Sequence, residues 1–201
     1  MASSAISLAA ANDPITVSVV RSFDELTEAM SLRTLAFLGE QDCPFDEEFD
    51  GNDLTANHLL ARFDGAPAAT CRIRCFAGFA KIERVCTHPR HRTRRLLKTF
   101  VSEILGYCAR KGYSRAITHI QAHRAKQWVK FGFRVREERP RFRFSDHEYV
   151  EIEIDLPPDP HALHEFSDPE ILNRPEGEWD RPGVLEQSRR RGAVNVGGGL
   201  A

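Results

Sequence analysis

The chain has 201 residues, 41% hydrophobic and 28% charged, with a formal net charge of −1. That length allows one domain with a full core plus a tail, and the near-zero charge excludes a general attraction to nucleic acid or to an anionic membrane surface. Its five cysteines form no CxxC pair and no zinc-type ligand spacing, so they are expected to be small core residues of a reducing, cytoplasmic protein that holds no metal.

In chain order, residues 1–14 (MASSAISLAAANDP) lack the charged start of a signal peptide and are expected to form a flexible arm. No stretch approaches the length of a transmembrane helix. ITVSVVRSF (15–23) is β-branched and predicts a first strand. Ser22 and Glu25 have capping-box spacing, followed by a helical stripe of Phe23, Leu26, Met30 and Phe37. The acidic stretch GEQDCPFDEEFDGND (39–53) reads as a loop. NHLLARF and APAATCRIRCF flank Asp64-Gly65, a hairpin signal. AGFAKIERVCT (77–87) predicts another strand, in which Glu83, Val85 and Thr87 share parity and therefore one face.

The clearest helix is 94–111, where Leu96, Leu97, Phe100, Val101, Ile104, Leu105 and Cys108 recur at helical spacing and Gly112 follows. SRAITHIQA is a strand, HRAKQWVKF a short helix, and FRVREE and EYVEIEIDL two closing strands. RPRFRFS places Arg139, Arg141 and Arg143 on one face and Phe142 and Phe144 on the other, as in a half-buried strand rather than a surface for nucleic acid. Together these elements predict one α/β (α+β) domain over 15–156, with a Pro/Gly/Arg-rich tail over 157–201 whose last residues are expected to be mobile.

The densest basic run, HPRHRTRRLLKTF (88–100), lies where the strand at 81–87 turns into the long helix. Cations at a helix start oppose its dipole. Two readings are open: a bound anion offsets them, as helix N-termini favour, or they form a solvated face. The position at a strand-to-helix turn favours the first.

These elements in this order resemble the GCN5-related N-acetyltransferases. THPRHRTRRLL aligns with that family's V-x-P-x-x-R-G-x-G-x-G/A signature, QWVKFGF is similar to FYEKLGF, and SDHEYV to a closing G-x-x-H-x-x-M. Upstream, Arg33, Phe37, Glu40, Gln41, Asp50, Asp53 and His58 resemble the pattern of the ElaA-like branch, part of which acyl-homoserine lactone synthases share. The resemblance implies a single domain with a mixed, mostly antiparallel twisted sheet flanked by helices. It implies acetyl-CoA, or another acyl-CoA, as co-substrate and a small-molecule or protein amine as acceptor, in a monomer or homodimer without nucleic-acid or membrane partners.

Carried over by residue, the resemblance gives Val85, Cys86 and Thr87 to the pantetheine arm and thioester. It gives Arg92, Thr93, Arg94, Arg95, Leu96, Leu97 and Lys98 to the pyrophosphate. Thr93, Arg95 and Leu97 stand at the usual glycine positions. Trp128 stands beside the cofactor, where the family often has a tyrosine acid; an indole N–H donates a hydrogen bond but is no useful acid. Glu83 is a candidate general base or a salt-bridge partner of Arg72, Arg74 or Arg84, with the two readings open. His147 and His58 are candidates for shaping the acceptor pocket or relaying a proton. Asp50 and Asp53 are candidates for binding a cationic acceptor or capping their loop, and Cys86 for packing or nucleophilic chemistry. The expected activity is direct N-acyl transfer, most simply of acetyl. The missing glycines and tyrosine motivate a second reading, a non-catalytic binding module. A third is an acyltransferase that uses a longer acyl-CoA or an acyl carrier protein.

Overall fold

The structure is a computed structural model and describes residues 14–190. The expected mobile ends, 1–13 and 191–201, lie outside the described residues. The chain gathers into two units, one running to Ala162 and one from Leu163.

The first unit carries strand β1 (Ile15–Val19), helix α1 (Phe23–Arg33) and short helices α2 (Gly39–Gln41) and α3 (Phe45–Glu48). Strands β2 (Asn57–Phe63), β3 (Ala66–Phe76) and β4 (Phe79–Thr87) follow, then helix α4 (Arg94–Arg110) and strand β5 (Arg115–Gln121). Helix α5 (Ala125–Val129) and strands β6 (Arg134–Val135), β7 (Phe142–Phe144) and β8 (His147–Asp155) complete it. These eight strands form one sheet, ordered β1-β2-β3-β4-β5-β8-β6, with β7 also on β8. Among the described residues only the β4–β5 pairing is parallel. Among them, too, no helix is long and apolar enough to cross a membrane.

Local chemistry explains most elements. Ser22 accepts from the Glu25 N–H at 3.2 Å, and Glu25 answers by accepting from the Arg21 N–H at 2.8 Å, which starts α1. Asp64 (φ +49°) and Gly65 (φ +80°) make the tight β2–β3 turn that Asp-Gly predicts. Ser145 (φ +45°) and Asp146 (φ +59°) do the same between β7 and β8. Buried Leu96, Phe100, Val101, Ile104 and Cys108 give α4 its core face, and Cys71 of β3 lies near Cys108 on that side of the sheet. Four of the five cysteines are buried, as expected, and Cys75 is exposed.

Two expectations change. The stripe Phe23, Leu26, Met30 and Phe37 is only partly buried: Phe23 is 81% exposed, Leu26 and Met30 are half-buried and Phe37 packs on the core, whereas Ala29, Leu32 and Arg33 are buried. Leu32 and Ala36 pack with Leu60 and Cys86, and that contact sets the rotation of the helix. The acidic stretch 39–53 contains α2 and α3 rather than plain loop, because α1 continues through a π-helical turn, Thr34–Leu38, into α2.

In the second unit, α6 (Pro169–Leu172) and α7 (Val184–Arg190) are joined through Arg174. That guanidinium holds Glu186 at 2.5 Å and also donates to the Trp179 carbonyl.

Candidate active site

The site is built where β4 leaves β5. The two strands pair only at Ala80↔Ala116, Lys81↔Ile117 and Ile82↔Thr118. Beyond these pairs β4 stays with β3 as far as Thr87, while β5 stays with β8 as far as Gln121. The strands therefore diverge into a cleft within one sheet.

At the mouth of the cleft β4 bulges. Arg72 of β3 faces Glu83, but Thr70 faces Cys86, so two residues of one strand span three of the other. The extra residue is absorbed at Arg84, whose φ is +53°, a conformation that costs an L-residue roughly 1 kcal/mol. The bulge overturns the expectation that Glu83, Val85 and Thr87 share a face. Glu83 instead shares its face with Cys86, through Arg72 and Thr70, and Thr87 pairs with Ala69 on the other. Period-two parity holds only along an uninterrupted ladder.

The basic turn follows. His88 donates its N–H to the Ala68 carbonyl at 2.8 Å, and its ring lies 5.4 Å from that of His91, which also packs on Phe63. Thr93 caps α4, accepting from the Leu96 N–H at 3.1 Å. The first turn of α4 carries no acid. Arg94, Arg95 and Lys98 are exposed, Leu97 is half-buried and Leu96 is in the core. Arg92 pairs with Glu40. A capped helix start with exposed cations and no carboxylate in its first turn fits an anion such as a pyrophosphate. The hydroxyl at the first missing glycine serves as the cap.

Beneath the bulge lies a buried ionic network. Arg33 (0% exposed) holds Glu48 at 2.5 Å and Asp53 at 2.6 Å. Arg72 (0% exposed) holds Asp50 at 2.7 Å, Asp53 at 3.0 Å and Glu83 at 2.8 Å. Lys81 takes the other Glu83 oxygen at 2.6 Å. Glu83 thus has both oxygens engaged, and its arginine partner is Arg72 rather than Arg74 or Arg84. Burial alone would raise its pKa, but Lys81 and Arg72 outweigh it and hold the carboxyl below the usual range. Arg33 and Arg72 do the same for Asp53, and the Arg72 hydrogen bonds lower Asp50. Both aspartates are thereby engaged by guanidinium groups. Burial pushes the Glu48 carboxyl up against the pull of Arg33 and Arg84. His58 Nε2 lies 3.1 Å from the Asp53 carbonyl, and burial lowers its pKa. Burial also pushes the Cys86 thiol up to about 12, which leaves it a packing residue rather than a nucleophile.

The network makes stability pH-dependent. A group whose folded pKa is lowered contributes stability above its unfolded pKa and loses it as pH falls through the folded value. His58 should begin this loss below about pH 6.5, and Asp50, Asp53 and Glu83 should continue it below about pH 4. Glu48, with its raised pKa, acts in the opposite sense. Thermal unfolding of His58→Gln should show a smaller drop between about pH 7 and 5 than wild type; equal drops would remove His58 from the account.

The far wall is formed by α2, α3 and the β7–β8 turn. Gln121, at the end of β5, donates to Gln41 at 3.0 Å and accepts from Arg124 at 3.0 Å. Tyr149, opposite Gln121, hydrogen-bonds to it, and burial raises the phenol's pKa. Ser145 donates to Glu47 from Oγ (2.5 Å) and from its main-chain N–H (3.0 Å), and lies 3.0 Å from the Cys43 sulfur. His147 pairs with Phe144, on the same face as Tyr149. Trp128 packs edge-on to Phe133 at 5.2 Å and Phe131 at 6.2 Å.

The structure thus brings Glu83, Cys86 and the basic turn to one cleft, with His147 on the wall beside it. The sequence reading missed Arg84, Gln121 and Tyr149. Arg84 needed the bulge to be known. Tyr149 comes opposite Gln121 through the antiparallel pairing of β5 with β8, strands far apart in sequence, so no local signal marked that pair.

Comparison with known proteins gives the same picture. The profile of the Acetyltransferase (GNAT) family matches residues 25–133. A Bacillus subtilis protein named as an acetyltransferase is 30% identical over 125 residues, 61% of this chain and 85% of that one. The crystal structure of Escherichia coli ElaA superposes with a TM-score of 0.63 at 22% identity, covering 70% of this chain and 99% of that one. An acyl-CoA N-acyltransferase from Pseudomonas aeruginosa gives a TM-score of 0.62 at 23% identity, with the same coverage.

Proposed function

Because this chain belongs to the GNAT family of acetyltransferases, we propose that it transfers an acetyl group from acetyl-CoA to an amine by direct attack. The observation that carries this reading is the divergence of β4 from β5 after three residue pairs, beside a capped helix start whose first turn has no acid. An extended pantetheine arm fits along the main chain of Val85–Thr87 as a neighbouring strand would, and a main-chain N–H there polarises the thioester carbonyl. Arg94, Arg95 and Lys98, with the N–H groups at the start of α4, hold the pyrophosphate. Arg92 joins them by exchanging Glu40 for phosphate.

The neutral amine attacks the carbonyl carbon, the N–C bond forms and the C–S bond breaks. The coenzyme A thiolate leaves without an acid from Trp128, since a thiolate is a competent leaving group. Water carries the amine's proton away. Glu83, held ionised between Lys81 and Arg72, is a weak base and serves chiefly to fix those two cations beside β4. His147 and Tyr149 shape the acceptor wall.

Glu83→Gln should therefore lower kcat/KM by less than about 10-fold, whereas loss of a true general base costs about 10²–10⁴-fold. A loss in the larger range would make Glu83 the base. Calorimetry with acetyl-CoA, followed by coenzyme A release over a panel containing spermidine, tyramine and a lysine peptide, tests the whole reading. No binding at millimolar acetyl-CoA would sink it. Binding without thiol release would favour the non-catalytic module, and tighter binding of longer acyl-CoAs would change the donor.

A further inference from the structure

We propose that Arg84 is a positioning residue, whose side chain is tied to Glu48 and Phe144 and so fixes the β4 bulge in the register that aims its main-chain N–H groups at the thioester carbonyl. The inference rests on the reading of the cleft as the acyl-donor site. Arg84 is the residue that absorbs the bulge, and it does so at φ +53°, where a side chain is normally a penalty. A glycine would take this conformation freely, so the arginine must be offset by what its side chain does.

That side chain spans from the cleft to the opposite wall. Its Nε pairs with Glu48 at 2.7 Å, and its Nη2 donates to the Glu47 carbonyl at 2.6 Å. Asp50 lies 3.4 Å from the same nitrogen, and the guanidinium sits over the Phe144 ring at 5.5 Å. The far end of the tether is itself fixed, because Glu48 is 1% exposed and paired with Arg33. Arg84 therefore links the bulge to α3 and to the β7–β8 hairpin in one planar group, which lysine cannot reproduce. Without the tether the residue relaxes toward an ordinary β conformation. The ladder beyond it, Cys86 and Thr87 included, then loses the register that turns its N–H groups into the cleft.

Infrared difference spectroscopy of carbonyl-labelled acetyl-CoA bound to the full chain tests this directly, without needing an acceptor. In wild type the carbonyl stretch should move to lower frequency than in free acetyl-CoA. Arg84→Gly keeps the left-handed backbone accessible and leaves Glu48 its Arg33 partner, so the chain should still fold, at a somewhat lower unfolding temperature. It should bind acetyl-CoA within about twofold of wild type, because Arg84 is none of the cations assigned to the phosphates, yet lose the shift. Arg84→Lys, which can still meet Glu48, should recover part of it. A shift retained in Arg84→Gly, absent from wild type, or not recovered at all by lysine overturns the inference while the donor site stands. Failure of wild type to bind acetyl-CoA overturns the donor-site reading and this inference together.

Discussion

Arg72→Leu should destabilise the first unit by about 3–5 kcal/mol, measured by chemical denaturation, although it adds apolar volume to the interior. The guanidinium is fully buried and meets Asp50, Asp53 and Glu83. Its removal takes from Asp50 its shortest cationic contact and leaves Asp53 and Glu83 with one cation each, Arg33 and Lys81, where they had two. The cost of burying charges short of a partner exceeds what a leucine gains by filling the space. The three acids should then titrate at higher pH, so the loss should shrink on mild acidification, the reverse of wild-type behaviour. Pairing the change with Glu83→Leu should recover part of the loss, because one under-paired charge is removed with it. A loss under about 1 kcal/mol would mean that water reaches these acids and that the network is a solvated one.

The second large effect is on donor affinity. Arg94→Ala combined with Arg95→Ala should weaken acetyl-CoA binding about 10–100-fold at low salt, taking about 1.5–3 kcal/mol for the charge-assisted hydrogen bonds that the guanidinium groups give to phosphate. Both side chains are exposed, so the effect should fall steeply as salt rises and screens them. Calorimetry at two ionic strengths reads this out. The fold should be untouched or slightly steadier, because two cations leave a helix start whose dipole disfavours them. Unchanged affinity at low salt would return the basic run to the solvated face that the sequence also allowed.

Much of the fold was legible because its signals are local. Asp64-Gly65 sits between two apolar runs and makes the predicted turn, and the stripe of Leu96, Phe100 and Ile104 makes the predicted helix. The basic turn was legible for the same reason, being a charge run at a boundary between two clear elements. What was not legible depends on partners distant in sequence. The outward rotation of Phe23 follows from Leu32 and Ala36 meeting Leu60 and Cys86. The faces of β4 follow from a bulge at an arginine, where no glycine marks it. The engagement of Glu83 follows from register, since Arg72 stands directly opposite it on the neighbouring strand. Spacing identified the residue types of the site, and only pairing showed which of them were already occupied.

The three residue pairs between β4 and β5 also bear on mechanics. On either side of this neck the ladders are long: β4 with β3 from Phe79 to Thr87, and β5 with β8 from Arg115 to Gln121. The sheet is thus two stiff plates joined along a short hinge line. The connection that leaves one plate at Thr87 and enters the other at Arg115 runs through helix α4, whose Phe100 and Ile104 are buried. Flexing the plates breaks few hydrogen bonds, so resistance to it comes chiefly from apolar packing under that one helix. Trimming a buried side chain of α4, such as Phe100, should therefore loosen the hinge line as well as the core.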